Sequence, residues 1–224
     1  MTDADPLTRP LLAESVYLRM RSDLLRGRIR PGERVIEQWA ALHYDASRTP
    51  VREACRRLAE EGLLVHRPQR GYAAPVIEQV ELDELYELRR AIEVLSVRRA
   101  CGASDRSERL AALRSQWSGR APDAGEEIVY NDEAFHLGIA EIGGNRQVLA
   151  ALAGINARIR LVRVHDFLDP DRVQATVRQH LAILDAVGDG DAEKAGALMI
   201  VHIIESQRAV VDAAARAQAA FATD

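Results

Sequence analysis

Asp132 and His136 lie four residues apart, so on a helix both side chains leave one face. His180 falls in register with Val173, Val177 and Leu184 of a later helical pattern, and His202 with Ala195, Leu198 and Met199 of the last one. One carboxylate and three imidazoles are therefore expected to face the interior from three helices. A single inward histidine is more often a hydrogen-bonded core residue than a ligand, and that alternative stands for each taken alone. Together the set has the chemistry of a metal site, because helical bundles build such sites from carboxylates and imidazoles on facing helices. Three nitrogens and one oxygen suit Zn²⁺, with Ni²⁺, Co²⁺ and Mn²⁺ as alternatives, and leave open positions for an added oxygen ligand.

Arginines accompany this set. On the 78–102 pattern, Leu85, Leu88, Ile92 and Leu95 mark the expected packed side, with Arg89 at its edge, Arg90 pointing away and Arg99 on it near the helix end. On the 145–167 pattern, Leu152, Ile155 and Ile159 set the face, and Asn156, Arg160 and Arg163 lie on or beside it. A buried arginine is costly unless paired. One reading is a structural pair, such as Arg89 with Glu93. The other is that metal and arginine together capture a small carboxylate, whose two oxygens match the guanidinium fork. Arg89, Asn156, Arg160 and Arg163 are thus the candidate effector-binding residues.

A different chemistry is written in Ser47-Arg48-Thr49-Pro50-Val51-Arg52-Glu53-Ala54. Ser47 suits an N-cap and Pro50 suits the opening turn. Val51, Ala54, Cys55 and Leu58 recur at helical spacing, so one side packs and Arg48, Thr49 and Arg52 are left at the N-terminal end. Such a helix can carry arginines into a DNA major groove, where the guanidinium pairs bidentately with guanine. An ordinary capped surface helix is the alternative.

The elements around these residues fit a chain of 224 residues, 47% hydrophobic and only 4% aromatic, a composition that favours aliphatic-packed helices. The net charge of −4 hides an asymmetry. Residues 1–75 hold 13 arginines against 10 carboxylates, and the rest holds 17 cations against 24 carboxylates, which suits a nucleic-acid reader joined to something else. Cys55 and Cys101 lack metal or redox spacing and are expected to be reduced core thiols of a cytoplasmic protein. No run is apolar and long enough for a membrane span, and the first ten residues have no signal-peptide core.

Residues 1–11 are read as a flexible arm. A first helix is expected over Leu12–Arg26, an edge strand at Arg34–Ile36, a short helix over Glu37–Leu42, the Ser47 helix, and strands at Leu63–His66 and Tyr72–Pro75. That order is a winged helix-turn-helix, expected over 12–76. Six helices follow, at 78–102, 105–117, 126–142, 145–167, 170–187 and 190–219. Their short connections predict an all-α antiparallel bundle over 77–224. The fold class is mostly α, with the winged helix-turn-helix joined to that bundle.

These residues resemble the bacterial GntR transcription regulators, in the FadR-type subgroup with an FCD effector domain. The amino-terminal pattern runs from Leu25 to Arg34, through Ser47–Ala54 and Leu58–Leu63, to Arg67-Pro68-Gln69-Arg70-Gly71. The effector-domain pattern runs through Glu87–Glu93, Asp132–His136, Gly144-Asn145, Gln179-His180 and Met199–His202. The resemblance implies a homodimer on a short palindromic operator, usually as a repressor. It implies that Arg48 and Arg52 read bases, that Thr49 touches phosphate, and that Arg70 and Gly71 approach the minor groove. It also implies metal ligation by Asp132, His136, His180 and His202, and a pocket lined by Arg89. One departure is His43-Tyr44-Asp45, where the family commonly has a glycine; Asp tolerates the left-handed region better than most residues.

The leading expectation is a DNA-binding regulator controlled by a small organic acid at a metal-containing pocket. A metal-sensing regulator is the first alternative. A metal-dependent enzyme is the second, since such sites also activate water. The intact DNA-reading pattern opposes it, as does the lack of a general base beside the ligands. Glu133 points about 100° away from Asp132 on the same helix.

Overall fold

The stripe Val16, Met20 and Leu24 is buried along helix α1 (Thr8–Leu25), which ends where Gly27 takes φ 70°. The structure is a computed structural model that describes residues 8–118, 126–167 and 169–221. Helix α1 starts four residues before the expected Leu12; residues 1–7 of the expected arm lie outside the described residues. The chain divides into two compact units, Met1–Ile77 and Glu78–Asp224.

In the first unit, β1 (Arg34–Val35), α2 (Glu37–His43), α3 (Arg48–Glu60), β2 (Val65–Arg67) and β3 (Gly71–Ala73) follow α1. The antiparallel sheet has the order β1-β3-β2, with Val65 opposite Ala73 and Arg67 opposite Gly71. Gln69, at φ 62°, and Gly71, at φ 76°, turn the chain between β2 and β3. This is the winged helix-turn-helix arrangement. Pro50, Val51, Ala54, Cys55 and Leu58 are the buried side of α3. Ser47 enters α3 in an extended conformation, as a cap should, but its hydroxyl makes no capping hydrogen bond.

The turn before α3 survives the missing glycine because Asp45 itself takes φ 51°. Two side chains of α1 hold it. Asp23 accepts a 2.9 Å hydrogen bond from the buried Tyr44 hydroxyl, and Arg19 donates to the carbonyls of Tyr44 and His43 at 3.0 and 3.3 Å. Burial and the Asp23 carboxylate raise the Tyr44 phenol above its usual range, so it stays a donor.

The second unit comprises α4 (Gln79–Cys101), α5 (Arg106–Trp117), α6 (Glu126–Ile142), α7 (Arg146–Asp166), α8 (Pro170–Asp189) and α9 (Ala192–Phe221). Helix α4 packs against α6, α7, α8 and α9, and α5 covers α6 and α8. The Asn145 side chain caps α7 by accepting from the amides of Gln147 and Val148 at 3.0 and 3.3 Å. Gly143 permits a close approach of α6 to α4, since a Cβ there would sit 3.0 Å from the Ser96 carbonyl oxygen. Arg99, expected on the packed side, is exposed and donates to the Gly143 carbonyl at 2.8 Å, fastening the same junction.

The buried side of α4 differs from the leucine stripe. Leu88 and Leu95 are 49% and 43% exposed, whereas Leu82, Leu85, Tyr86, Arg89, Glu93, Ser96, Val97 and Ala100 are buried. The reason is that α4 sits at the centre of the unit and presents ion-paired side chains to its neighbours. Hydrophobicity alone therefore selects the wrong stripe. Cys55 and Cys101 are buried free thiols, and burial pushes Cys55 up to about 12. Among the described residues, no helix is long and apolar enough to cross a membrane.

Candidate metal centre and nucleic-acid face

Helix α6 supplies Asp132 and His136, α8 supplies His180, and α9 supplies His202; all four side chains are fully buried. Their ligand atoms lie within 4.8 Å of one another. His136 Nε2 is 3.4 Å from Asp132 Oδ2, and His180 Nε2 is 3.5 Å from Asp132 Oδ1. His202 Nε2 lies 3.2 Å from His136 Nε2 and 3.4 Å from His180 Nε2. A tetrahedral ion with bonds of about 2.0–2.1 Å separates its ligands by roughly 3.3 Å, so these spacings fit one.

The donor set fits as well. Glu93 and Gln179 present oxygens to the Nδ1 atoms of His136 and His202, so those nitrogens carry the protons, and in the neutral rings both Nε2 atoms are lone-pair acceptors. With the Asp132 carboxylate between them, acceptors face acceptors in a fully buried space. A cation relieves that repulsion. Phe135 stacks on His180 with ring centroids 3.6 Å apart, and Trp117 meets the same ring edge-on at 4.3 Å, so the imidazole is clamped in place.

Charges surround this centre. Arg163 donates to Asp132 Oδ2, and Arg89 Nη2 lies 3.9 Å from the same oxygen. Arg89 Nε donates to Glu93 Oε1 at 2.7 Å, which realises the pair anticipated from sequence. Burial by itself would raise the Asp132 carboxyl, but the Arg163 guanidinium, with Arg89 behind it, holds it well below the usual carboxylate range. Glu93 is likewise pulled down against burial, to about 2, by His136 and Arg89.

Among the described residues several buried polar atoms have no hydrogen-bond partner: Arg89 Nη1 and Nη2, Arg163 Nε and Nη1, both amide atoms of Asn156, and Asp132 Oδ1. Unmade hydrogen bonds at buried groups are rare in folded proteins and mark places where a ligand can complete the set. Arg160 differs from the other three effector candidates. It is bound to Glu133 through Nε and Nη2 at 2.9 and 2.8 Å, which also removes Glu133 from any general-base role beside the ligands. Sequence reasoning did not single out Asp166 and Arg172. They pair at 3.2 Å and keep Asp166 Oδ2 and Arg172 Nη2 without hydrogen-bond partners.

Burial drives His180 and His202 well below the usual histidine value, so both are neutral in the fold. The unfolded chain protonates them near pH 6.5 and then binds more protons than the folded one, so stability is lost as pH falls through that value. Asp166, pushed by burial up to about 6, acts in the opposite sense below that pH, one carboxyl against two imidazoles. Asp132 and Glu93, being depressed, act only in stronger acid. The melting temperature of metal-free protein should therefore fall from about pH 7 to about pH 5. A melting temperature that stays level or rises over that window would contradict the burial of two neutral imidazoles.

In the first unit Arg48, Thr49, Arg52, Arg70 and Gly71 are all exposed. Arg48 and Arg52, four apart on α3, lie on one exposed strip that flanks its buried side, and Arg70 with Gly71 forms the tip of the β2–β3 hairpin. Arg52 Nε donates at 2.8 Å to both carboxylate oxygens of Glu37 on α2, which sets the direction of the side chain.

Known proteins share both units. The pattern of the bacterial regulatory proteins, gntR family, matches residues 12–73, and that of the FCD domain matches residues 84–205. The Nta operon transcriptional regulator of Aminobacter aminovorans is 34% identical over 178 residues, covering 78% of this chain and 82% of its own. The HTH-type transcriptional repressor RspR of Escherichia coli K12 is 27% identical over 208 residues, 88% of each chain. Among solved structures, E. coli McbR/YncC superposes with a TM-score of 0.66 over 90% of this chain and 97% of its own, at 20% identity, a likeness of fold. The relatives are named as regulators of transcription and not as enzymes. With its amino-terminal unit matched by one pattern and over half its length by the other, the chain belongs to the GntR family of DNA-binding transcription regulators, in the branch that carries an FCD domain.

Proposed function

We propose that this regulator is a repressor whose operator affinity is set by a small carboxylate bound beside a divalent ion. Asp132, His136, His180 and His202 would hold the ion, with Zn²⁺ the best match to their geometry and donor types. The ion would supply an electrophilic centre that takes an added oxygen ligand by expanding beyond four-coordination. The chain's own contribution to the effector is Arg89, Arg163 and Asn156, each of which keeps at least one buried nitrogen without a hydrogen-bond partner among the described residues. Arg160 contributes only if it exchanges Glu133 for the ligand. The observation that carries this reading is the coincidence of four converging acceptors with unsatisfied guanidinium and amide groups around them.

At the DNA, Arg48 and Arg52 would read base edges, Thr49 would contact phosphate, and Arg70 with Gly71 would follow the minor groove. A palindromic operator needs two such modules related by a two-fold, so the working species is a homodimer in the cytoplasm. The effector acts by favouring one arrangement of the two modules over another, which requires different affinity for the two.

A thermal-shift screen of small carboxylates on Zn²⁺-loaded protein tests the effector reading. At least one mono-, di- or hydroxycarboxylate should raise the melting temperature, and the shift should vanish after chelation. For the best carboxylate, Arg89→Ala should weaken binding by about tenfold to more than hundredfold, as expected for loss of a charge-assisted hydrogen bond of roughly 1.5–3 kcal/mol. Full affinity in that variant would move the carboxylate to Arg163. No stabilising carboxylate at all, with Zn²⁺ alone altering DNA binding, would favour metal sensing.

A further inference from the structure

We propose that Glu93 and Gln179 are the positioning residues of the metal centre: each fixes the tautomer of one histidine ligand, Glu93 that of His136 and Gln179 that of His202. This rests on the metal reading above and extends it to residues outside the ligand set.

The geometry is specific about which nitrogen holds each proton. A carboxylate only accepts, so the buried contact between Glu93 Oε2 and His136 Nδ1 requires the proton on Nδ1, and in the neutral ring, the form that binds metal, leaves the Nε2 lone pair facing Asp132 and His202. Glu93 Oε1 meanwhile accepts from Arg89 Nε, leaving both terminal nitrogens of Arg89 without hydrogen-bond partners, although Nη2 lies 3.9 Å from Asp132 Oδ2. One buried carboxylate thus orients a metal ligand with one oxygen and the effector arginine with the other.

Gln179 does the corresponding work for His202 from the rim. Its Oε1 lies 2.8 Å from His202 Nδ1, and its amide sense is set because Nε2 donates to the Glu205 carboxylate. His180 has no such partner, since its Nδ1 is without a hydrogen bond; Phe135 and Trp117 hold that ring by contact instead. The two positioning residues are not equivalent. Glu93 is fully buried and anionic, so it also makes His136 a more basic ligand, whereas Gln179 is neutral and half-buried. The larger effect is therefore expected at Glu93.

The test uses the full chain and Co²⁺ alone, whose visible absorption reports tetrahedral ligation. Wild type, His180→Ala, Glu93→Gln, Glu93→Ala and Gln179→Leu are compared by chelator competition. ¹⁵N histidine spectra of metal-free wild type and Gln179→Leu report the tautomers. Loss of an outer partner of this kind commonly weakens a metal site by about 10–100-fold, and that is the expectation for Glu93→Gln and Gln179→Leu. Glu93→Gln, which keeps an oxygen acceptor, should retain more affinity than Glu93→Ala. The wild-type spectrum should show His136 and His202 with Nδ1 protonated, and Gln179→Leu should release His202 to a mixture while His136 is unmoved. Should the Glu93 variants fail to fold, Gln179→Leu and the wild-type spectrum still decide the matter. Wild-type Co²⁺ affinity in Gln179→Leu, or Nε2-protonated rings in the wild type, would overturn the assignment while leaving the metal site standing. A wild type that binds no Co²⁺, or His180→Ala binding it equally well, would overturn the metal reading and this inference with it.

Discussion

His180→Ala should release the metal ion. The side chain is one of the four proposed ligands, and four-ligand protein sites bind Zn²⁺ with apparent free energies of about 10–16 kcal/mol, so losing one is worth roughly 3 kcal/mol, more than a hundredfold in affinity. Elemental analysis of purified wild type should find about one divalent ion per chain, and the variant should carry almost none. Circular dichroism separates this outcome from misfolding, because the ring is also packed between Phe135 and Trp117. Wild-type metal content in a folded His180→Ala protein would remove His180 from the site. A folded wild type with no metal would return all three imidazoles to the role of core hydrogen-bonding groups.

Arg48→Ala and Arg52→Ala should each reduce the preference for operator over scrambled duplex by about 1–3 kcal/mol, or roughly 5- to 150-fold. Both residues are exposed on α3, and neither belongs to its buried side. Thr49→Ala should lower operator and scrambled binding more evenly, because a phosphate contact carries no base information. Duplexes selected by the wild type from a randomised pool supply the operator for these titrations. If either arginine variant keeps the wild-type preference, that residue does not read bases. Arg52 is the more informative of the two, since Glu37 already holds it in one direction and a change there alters a preset geometry.

Much of this architecture is legible in the sequence because it depends on short spacings. Asp132 and His136 are four apart, and the stripes through His180 and His202 are regular, so all four candidate ligands are placed facing inward by spacing alone. The replacement of glycine by Asp45 was equally readable, because few residues accept its φ of 51°. What failed was the face of α4. Its leucines outvote a buried row of Arg89, Glu93 and Ser96, and a hydrophobicity rule cannot see that Arg89 and Glu93 pair with each other and with Asp132 and His136 of α6. Glu93 was therefore visible as a partner of Arg89, but not as a partner of His136. Gln179 was harder still. It sits next to His180 in sequence and about 100° around the helix from it, so its service to His202 follows from the packing of α8 on α9 and from no spacing in either helix.

The same long-range packing explains why Arg160 and Arg163 part company despite lying three apart on one helix. Arg163 reaches Asp132 at the centre, while Arg160 meets Glu133, the neighbour of Asp132 that points elsewhere on α6. Sequence spacing put both near the interior; only the position of α6 against α7 separates them.

The most direct measurement is a titration of the full-length protein against its selected duplex under three conditions: metal-free, Zn²⁺-loaded, and Zn²⁺-loaded with a stabilising carboxylate. Control by a carboxylate at the metal centre predicts tight binding by the Zn²⁺-loaded protein and a clear loss of operator affinity when the carboxylate is added, with no response to carboxylate in the metal-free protein. An equal response to the carboxylate with and without Zn²⁺, or release by Zn²⁺ alone, would contradict it.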